Sequence, residues 1–420
     1  GGSSSLSSVE LAGVQAAIVS ASNDKVVVVA QASNATGLED VVLTASTGAV
    51  VVQYDAWRYV ERGQITGVTP GHGQHGTYVD IRGTGLLSGS ASVGSVTLAG
   101  VNATVVSGNN TLVRVLAGPG STGVGDVRVV SADGAPVVGS SAFEYVAEGT
   151  IASVSPSSGQ EGTLVTIAGE GLRGAGSGVS EVTLGDSAAT IVSENDTVVV
   201  VVAADGAAGV GHVVLESESG ALVAEDNAFT YLERGVILQV APASGQLGTI
   251  VEIEGARLFG GGQSIATVEL AGVQATVVEE SNTTVVARVS SSFGATTLGD
   301  VVLVADSGAV TEATQAWTGY VDGSISSVTP GVGVAGTFVT IRGTELLGYA
   351  AGLGSVSLAE ADAAIQRANA TEVVVRAGAS GAASGDVALV ASSGATVTSV
   401  NAWQYAAPGV ISSVEPASGQ

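Results

Sequence analysis

The stretch PSSGQEGTLVTIAG, residues 156–169, combines a turn-forming start with an alternating end. Proline and glycine open it, and Val165 and Ile167 then alternate with other residues, which is typical of a half-buried β-strand that follows a tight loop. The pattern recurs at 70–83, 242–255 and 330–343, and its beginning recurs at 416–420. The spacings are 86, 86, 88 and 86 residues. A fixed period of this size indicates a chain of repeated domains.

The period divides the 420 residues into units that are each large enough to bury a core of their own. We number the predicted units as unit 1 (1–64, lacking its first strands), unit 2 (65–150), unit 3 (151–236), unit 4 (237–324) and unit 5 (325–410), followed by residues 411–420 as the first strand of a further unit.

Unit 1 begins inside a repeat. Its start, GGSSSLSSVELAGVQA at 1–16, aligns with GGQSIATVELAGVQA at 261–275. We therefore expect the chain to be a window cut from a longer array. Two alternatives remain open: a glycine-serine linker at the first five residues, and exchange of the strand at 411–414 into unit 1 of a neighbouring molecule.

Seven short strands are predicted in each unit, bounded by Gly, Ser, Asn or Asp. In unit 2 they are 65–68, 77–82, 95–98, 103–106, 111–116, 126–131 and 142–146. Short alternating strands at this density predict an antiparallel sandwich.

The last strand of every unit carries two aromatic residues. The pairs are Trp57 and Tyr59, Phe143 and Tyr145, Phe229 and Tyr231, Trp317 and Tyr320, and Trp403 and Tyr405. A spacing of two places both rings on one face, which we predict to be the core, with the polar tips bonded to backbone. In unit 4 the spacing is three, and we expect a β-bulge at Gly319 to keep both rings inside.

The opening pattern P-x-x-G-x-x-G-T-x-V-x-I-x-G and the closing A-[FW]-x-Y strand resemble the IPT/TIG family of immunoglobulin-like domains over the whole chain. The copy at 330–343 keeps the fixed positions, although Val334 stands where the other copies have glutamine. The resemblance implies modules of cell-surface receptors, large secreted or ciliary proteins, bacterial surface proteins or transcription factors. The fold alone does not choose among these functions.

The connections between units are short. The closing tyrosine and the next opening isoleucine are six positions apart at four junctions and five apart at Tyr320–Ile325. Such segments are too short to act as flexible linkers, and an odd number of antiparallel strands puts the two termini at opposite ends of a unit. The predicted fold class is all-β, with tandem immunoglobulin-like (IPT/TIG) β-sandwiches of about 86 residues stacked end to end as a rod.

Composition excludes several classes of function. Thirteen basic residues, of which Lys25 is the single lysine, face 38 acidic ones, so the net charge is −25 and a nucleic-acid groove is excluded. No apolar run approaches the roughly 18 residues of a spanning helix, and no membrane insertion is expected for this segment. The absence of cysteine excludes disulfides and thiolate metal sites.

Asparagine provides the main candidate sites. Six of the ten asparagines lie in N-x-S/T triplets, at Asn34, Asn102, Asn109, Asn195, Asn282 and Asn369. The last four are 86, 87 and 87 apart, so we predict that they share one turn, with Asn23 at that position in unit 1. N-glycosylation is one interpretation. The alternative is that asparagine suits the turn and threonine the strand.

Candidates for catalysis or metal binding are few. His72, His75 and His212 form no recurring cluster, and we interpret them as solvated loop or strand residues. Aspartates recur at Asp40, Asp126, Asp300 and Asp386, where His212 stands in unit 3. They are interpreted either as residues that bond their own turn or, with weaker support, as calcium ligands at domain junctions. We expect no enzyme activity and no cofactor other than N-linked glycans.

The near-equivalence of the units favours architecture over recognition. We expect a structural repeat segment of an extracellular glycoprotein filament or surface appendage, for example a flagellar or cell-surface hair, that reaches the cell surface by the secretory pathway. The expected partners are neighbouring copies of the array or other surface glycoproteins. The alternative is a spacer array in the ectodomain of a cell-surface receptor or adhesin.

Overall fold

The computed structural model describes residues 5–34 and 36–420. Strands, turns and loops make up this part of the chain, and it contains no helix. The strands form five sheets, one in each unit. The all-β class predicted from the sequence is confirmed.

The strand bounds in units 1 to 3 follow the repeat. Unit 1 contains β1 (Leu6–Leu11), β2 (Val14–Ala21), β3 (Val26–Val29), β4 (Gly37–Ala45) and β5 (Val50–Tyr59). Unit 2 contains β6 (Gln64–Thr69), β7 (His72–Gly73), β8 (Tyr78–Thr84), β9 (Val93–Leu98), β10 (Val101–Gly108), β11 (Leu112–Leu116), β12 (Gly123–Ser131) and β13 (Pro136–Tyr145). Unit 3 contains β14 (Thr150–Ser155), β15 (Ser158–Gly159), β16 (Leu164–Glu170), β17 (Val179–Leu184), β18 (Ser187–Glu194), β19 (Val198–Val202), β20 (Gly209–Ser217) and β21 (Leu222–Tyr231).

Units 4 and 5 repeat the arrangement of unit 2. Unit 4 contains β22 (Val236–Ala241), β23 (Ser244–Gly245), β24 (Ile250–Ala256), β25 (Ile265–Leu270), β26 (Val273–Glu280), β27 (Thr284–Val289), β28 (Thr297–Ala305) and β29 (Val310–Gly319). Unit 5 contains β30 (Ser324–Thr329), β31 (Val332–Gly333), β32 (Phe338–Thr344), β33 (Leu353–Leu358), β34 (Ala361–Ala368), β35 (Glu372–Ala377), β36 (Ala383–Ala391) and β37 (Thr396–Tyr405).

The strand order in unit 2 is β6-β8-β11-β10-β9-β12-β13-β7. The chain leaves β6, which pairs antiparallel with β8, and crosses to β7, which pairs parallel with the end of β13. Strand β10 connects the two faces, because residues 101–103 pair with β9 and residues 104–108 pair with β11. The hydrogen-bonded surface thereby folds over on itself as a two-layer sandwich around one core.

Alternating side chains fill that core. Val79 and Ile81 of β8 are fully buried, and Phe143 and Tyr145 of β13 are each 1% exposed. The two rings meet edge to face, with centroids 5.1 Å apart, an arrangement that adds to the hydrophobic contribution of burial. The aromatic pair therefore lies in the core, as the two-residue spacing predicts.

The polar tips of these aromatic residues do not all find backbone partners. Trp317 Nε1 donates a 2.9 Å hydrogen bond to the carbonyl of Pro242, as predicted. Trp403 Nε1 and the Tyr145 hydroxyl are buried without a partner in the part of the chain that the structure describes. Burial raises the pKa of Tyr145. For these two side chains the expectation of a backbone partner was wrong, and core packing with an edge-to-face ring contact holds them.

Unit 4 departs from the prediction of a bulge at Gly319. Gly319 pairs with Thr297 in the ladder position that Tyr145 occupies opposite Gly123. Gly319 therefore replaces the tyrosine of the core pair, and Tyr320 lies beyond the end of the strand. The predicted inward position of Tyr320 was wrong. The prediction placed Tyr320 within the last strand, directly after the inserted glycine, but the strand ends at Gly319.

Phe293 supplies the ring that Gly319 lacks. It comes from the loop between β27 and β28, which accounts for the spacing of 88 residues, and it packs 5.5 Å from Trp317, centroid to centroid. In unit 2 the same contact is made the other way round: Gly120 of the loop lies against the Tyr145 ring. A large strand residue and a small loop residue have thus exchanged sides, a volume-conserving change that a close-packed core accepts.

Residues 411–414, which the repeat predicts as a strand, are exposed and form no strand. In units 2 to 5 the first strand pairs with the strand that follows the opening loop, as β6 pairs with β8. The given sequence does not include the equivalent of β8 after residues 411–420.

The exchange in unit 4 predicts strong coupling between two positions. Gly319→Tyr alone should destabilise unit 4, because a Cβ at Gly319 would lie 2.3 Å from the Phe293 ring and overpacking costs about 1–3 kcal/mol or more. Phe293→Gly alone should cost about 3–5 kcal/mol through the cavity it leaves. The double variant restores the arrangement of unit 2 and should be more stable than either single one. Hydrogen exchange of unit 4 core amides measures this, with unit 2 amides as an internal reference. If the destabilisation of the double variant equals the sum of the two single values, the proposed exchange is contradicted.

Candidate functional site

The predicted histidine and acidic candidates do not assemble into a catalytic or metal centre. His72 and His75 are exposed, and His212 Nδ1 lies 2.9 Å from Asp226 Oδ1 on the neighbouring strand. Within residues 5–34 and 36–420, no group of three or more His, Cys, Asp or Glu residues could hold a metal ion. The same residues contain no helix long and apolar enough to cross a membrane.

The recurring aspartates bond backbone on the facing strand and not in their own turn. Asp126 Oδ1 accepts a 2.9 Å hydrogen bond from the backbone N–H of Ser141, which has a left-handed φ of 50°. Asp40, Asp300 and Asp386 accept the corresponding bonds from Asp55, Gln315 and Asn401. Each carboxylate thus stabilises a strained position in the last strand, and one of its oxygens is already engaged.

Three of the predicted sequon asparagines share one turn. Asn109 Oδ1 accepts hydrogen bonds from the backbone N–H groups of Thr111 and Leu112 and from the Thr111 hydroxyl, at 2.8 to 2.9 Å. Asn195 and Asn369 make the same three bonds. The threonine of the triplet is therefore bonded to the asparagine within the turn, just before the next strand begins.

Asn282 and Asn23 are offset by one residue from this position, so their predicted alignment was wrong. Ser281 occupies it in unit 4, where its Oγ accepts from the N–H groups of Thr283 and Thr284. Ser22 does so in unit 1. Asn282 instead accepts a 3.0 Å bond from the N–H of Phe259. The turn needs a short side chain with an acceptor oxygen, and either serine or asparagine provides it.

All six candidate asparagines are exposed. In Asn109, Asn195 and Asn369 the oxygen is used by the turn, and Nδ2, the atom that would carry a glycan, has no hydrogen-bond partner among the described residues. Asn102 lies within β10, and Asn34 adjoins Ala35, which is outside the described residues. Glycosylation at these positions stays a prediction.

A feature that the sequence analysis did not single out lies where the units meet. Gln74, Gln160 and Gln246 are at most 2% exposed, although each belongs to a loop. Gln74 Oε1 accepts a 2.9 Å hydrogen bond from the N–H of Gly149, in the connection that leaves its own unit. Its Nε2 donates a 3.1 Å bond to the carbonyl of Leu222 in unit 3. One side chain therefore ties together a unit, its outgoing connection and the next unit.

The same bridge recurs at the next two junctions. Gln160 links Gly235 with Val310 at 2.7 Å on each side, and Gln246 links Gly323 with Thr396 at 2.8 and 2.9 Å. The carbonyl oxygen and the NH₂ group of each side-chain amide both have hydrogen-bond partners, as a buried primary amide requires. The available signal in the sequence was the recurrence of a polar residue at one loop position in four of five copies.

A hairpin of the following unit closes against the same loop. In unit 3 this docking hairpin is 217–222, and it corresponds to 305–310 in unit 4 and 391–396 in unit 5. Backbone N–H groups donate across the three junctions from Tyr78 to Ser219, from Leu164 to Ser307 and from Ile250 to Ser393, at 2.8 to 2.9 Å. Backbone contacts of this kind depend little on side-chain rotamers, so they fix the position of one unit against the next.

Glycine permits this close approach. Gly162 of unit 3 and Gly308 of the docking hairpin both have φ near +85°, and a Cβ on either would lie 2.6 to 2.7 Å from the other residue's carbonyl oxygen. In the connection, a Cβ on Gly149 would lie 2.2 Å from the carbonyl oxygen of Gly171. Any larger residue would force the two units apart.

Unit 5 lacks the glutamine at this position. Val334, which replaces it, is 37% exposed, and its side chain can neither donate nor accept a hydrogen bond. Its backbone N–H still donates to Thr337 Oγ1, as Gln74 donates to Thr77 Oγ1, so the loop itself is unchanged. Valine at this position thus keeps the loop conformation but lacks the polar groups with which the glutamines bridge two units.

The turn at the sequon position predicts a clear difference between two substitutions. Asn195→Ala should destabilise unit 3 by about 1–2 kcal/mol, because two backbone N–H groups lose their acceptor. Asn195→Ser should be nearly neutral, since Ser22 and Ser281 make the equivalent bonds. Hydrogen exchange of unit 3 core amides in the full chain distinguishes the two variants. A serine variant as unstable as the alanine variant would refute this role of the turn.

Comparison with known proteins bears on the fold of these units. Residues 64–145 and 150–231 match the IPT/TIG domain family. The comparison with curated proteins found no match.

Among solved structures, the full extracellular region of plexin A4 is similar at 18% identity and a TM-score of 0.40, over 82% of this chain and 30% of that one. The N-terminal eight Ig domains of the Down syndrome cell adhesion molecule are similar at 10% identity and a TM-score of 0.21, over 96% and 57%. This chain spans less than a third of the plexin chain, and similarities this distant carry no argument about function.

Units 2 and 3 match the family directly, and units 4 and 5 repeat their strand order and opening motif. The chain is therefore a tandem array of immunoglobulin-like β-sandwiches, of which units 2 and 3 match the IPT/TIG domain family.

Proposed function

We propose that this array is a stiff structural segment of an extracellular glycoprotein filament or surface appendage. The observation that supports the proposal best is the junction repeated between units 2 and 3, 3 and 4, and 4 and 5, in which a buried glutamine and a docking hairpin hold one unit against the next. Catalysis has no part in the proposal.

Stiffness follows from the number and direction of the contacts at a junction. A single covalent connection leaves two domains free to rotate, whereas the glutamine bridge and the hairpin bonds constrain the joint from different sides. Bending would break the hairpin hydrogen bonds and the bonds of the buried glutamines, and each buried polar group left unpaired costs about 1–3 kcal/mol. We therefore expect the straight arrangement to dominate at room temperature.

Because the stiff junction is repeated, the array extends as a long rod. Three consecutive junctions use equivalent residues, so each unit is placed on its predecessor by nearly the same operation. Strands of this length give roughly 35–45 Å per unit. In such an array the stability is approximately the sum of unit and junction contributions, so damage to one core leaves its neighbours folded.

The surface suits an extracellular setting. The net charge of −25 favours solubility and limits non-specific association. We propose that Asn109, Asn195, Asn282, Asn369, Asn34 and Asn102 are the candidates for N-linked glycans, which would shield the units from proteases. The proposed partners are neighbouring copies of the array or other surface glycoproteins.

Electron microscopy of the native material at low protein concentration tests the proposed function. Continuous thin filaments with an axial repeat of one or several units are expected. Separate short rods of uniform length, with a distinct domain at one end, would overturn the filament and indicate a spacer array in a receptor or adhesin ectodomain. The intact mass before and after enzymatic removal of N-glycans tests the glycoprotein part, and an unchanged mass would contradict it.

The glutamine bridge predicts a specific loss of stiffness. In the triple variant Gln74→Ala, Gln160→Ala, Gln246→Ala, the units should stay folded, while the junctions lose about 1–3 kcal/mol each. Small-angle X-ray scattering should then show a smaller maximum dimension and a broader distribution of shapes. Gln263→Ala, at an exposed glutamine, is the matched control and should leave the scattering unchanged. Identical scattering from the triple variant and the control would refute the bridge as the source of stiffness.

A further inference from the structure

The junction between units 4 and 5 contains a pair of tyrosines. The rings of Tyr320, in the connection, and Tyr349, in the loop after β32, are stacked with centroids 4.2 Å apart and planes inclined by 23°. Tyr349 is 40% exposed, and its hydroxyl donates a 3.2 Å hydrogen bond to the carbonyl of Val321. The pair is therefore held in place by its contacts and is also accessible to solvent.

The two positions carry aromatic residues only at this junction. The contact pair is Val60 with Gly89 between units 1 and 2, and Leu232 with Gly261 between units 3 and 4. Tyr349 keeps the left-handed backbone of this position, with φ 61°, where the other junctions have glycine or alanine. A bulky side chain in that conformation is strained, and such an outlier is a reason to look for a role beyond packing.

We propose that Tyr320 and Tyr349 are coupled by oxidation to a dityrosine, which joins units 4 and 5 covalently. Ring centroids 4.2 Å apart put carbon atoms of the two rings in van der Waals contact, so a carbon–carbon bond between them requires a rotation of the rings and not the approach of two distant groups. Of the stacked or edge-on ring pairs among the described residues, this is the one that consists of two tyrosines.

The reaction removes one electron and one proton from each phenol. The two phenoxyl radicals form a carbon–carbon bond between ring carbons ortho to oxygen, and the hydrogens on those carbons then move to the oxygens as the rings regain aromaticity. Hydrogen peroxide, acting through a haem peroxidase, accepts the two electrons and two protons and becomes two water molecules. Burial, with the negative charge of Glu345 nearby, raises the pKa of Tyr349, so the group that reacts at neutral pH is the protonated phenol.

The dityrosine would join units 4 and 5 irreversibly. The bridge by Gln246 can break and re-form, whereas a carbon–carbon bond between Tyr320 and Tyr349 cannot. The coupling thus adds a covalent fastening to one junction of the array, and it stands on the geometry of this pair whatever the larger assembly is.

Treatment of the dilute full chain with a peroxidase and limiting hydrogen peroxide tests the proposal. We expect dityrosine fluorescence in the monomeric product, an intact mass lower by two hydrogens, and a cross-linked peptide that contains residues 320 and 349. Tyr320→Phe and Tyr349→Phe should each abolish the product, because they keep the ring but lose the hydroxyl. Tyr54→Phe and Tyr78→Phe, at the exposed tyrosines 71% and 46% accessible, are controls that should leave it unchanged.

Two outcomes would overturn the proposal. One is a monomeric product without the mass loss. The other is dityrosine that maps to Tyr54 or Tyr78 or occurs only between molecules. Circular dichroism of the phenylalanine variants shows that they are folded, so that a lost product reports the missing hydroxyl. The same cross-linked peptide should occur in digests of the native material, and its absence there would count against the modification.

Discussion

A buried primary amide between two domains is the interaction on which the array depends. Gln74, Gln160 and Gln246 each place a donor and an acceptor at opposite sides of one rigid group, and each side meets backbone from a different part of the chain. Because an unpaired buried amide is costly, the two domains are stable together only in the geometry that satisfies both ends. A hydrophobic residue could fill the same space but could not select one orientation.

The fold of a unit and its attachment to the next one are encoded in the same short stretch. In residues 156–169, Val165 and Ile167 bury one face of β16, while Gln160 and Gly162 a few positions earlier meet the following unit. The loop is held by Thr163, whose hydroxyl accepts the N–H of Gln160 at 3.1 Å. The loop around Val334 keeps the same hydrogen bond without a glutamine, so a substitution at this position can remove the bridging groups without altering the fold of the unit.

The alternation of apolar residues predicted the strands, the sandwich and the aromatic core, because burial of one face imposes a period of two. It could not predict the exchange in unit 4. Phe293 and Gly319 compensate for each other, but they are distant in the sequence and come into contact only in the folded unit. The predicted alignment of Asn282 with the other sequon asparagines was wrong for a related reason. In the run 281–284, SNTT, both Ser281 and Asn282 suit a turn, and the hydrogen bonds to Thr283 and Thr284 decide between them. The glutamines were passed over because a polar residue in a loop is ordinarily exposed.

The distance between units two junctions apart tests the central claim most directly. The chain has no cysteine, so spin labels can be attached at Ser107→Cys in unit 2 and Glu279→Cys in unit 4, two exposed and equivalent strand positions. Double electron–electron resonance on the dilute full chain should give one narrow distance distribution, because two glutamine bridges separate the labels. A broad distribution, or several distances in exchange, would contradict the account that these junctions hold the domains in one arrangement.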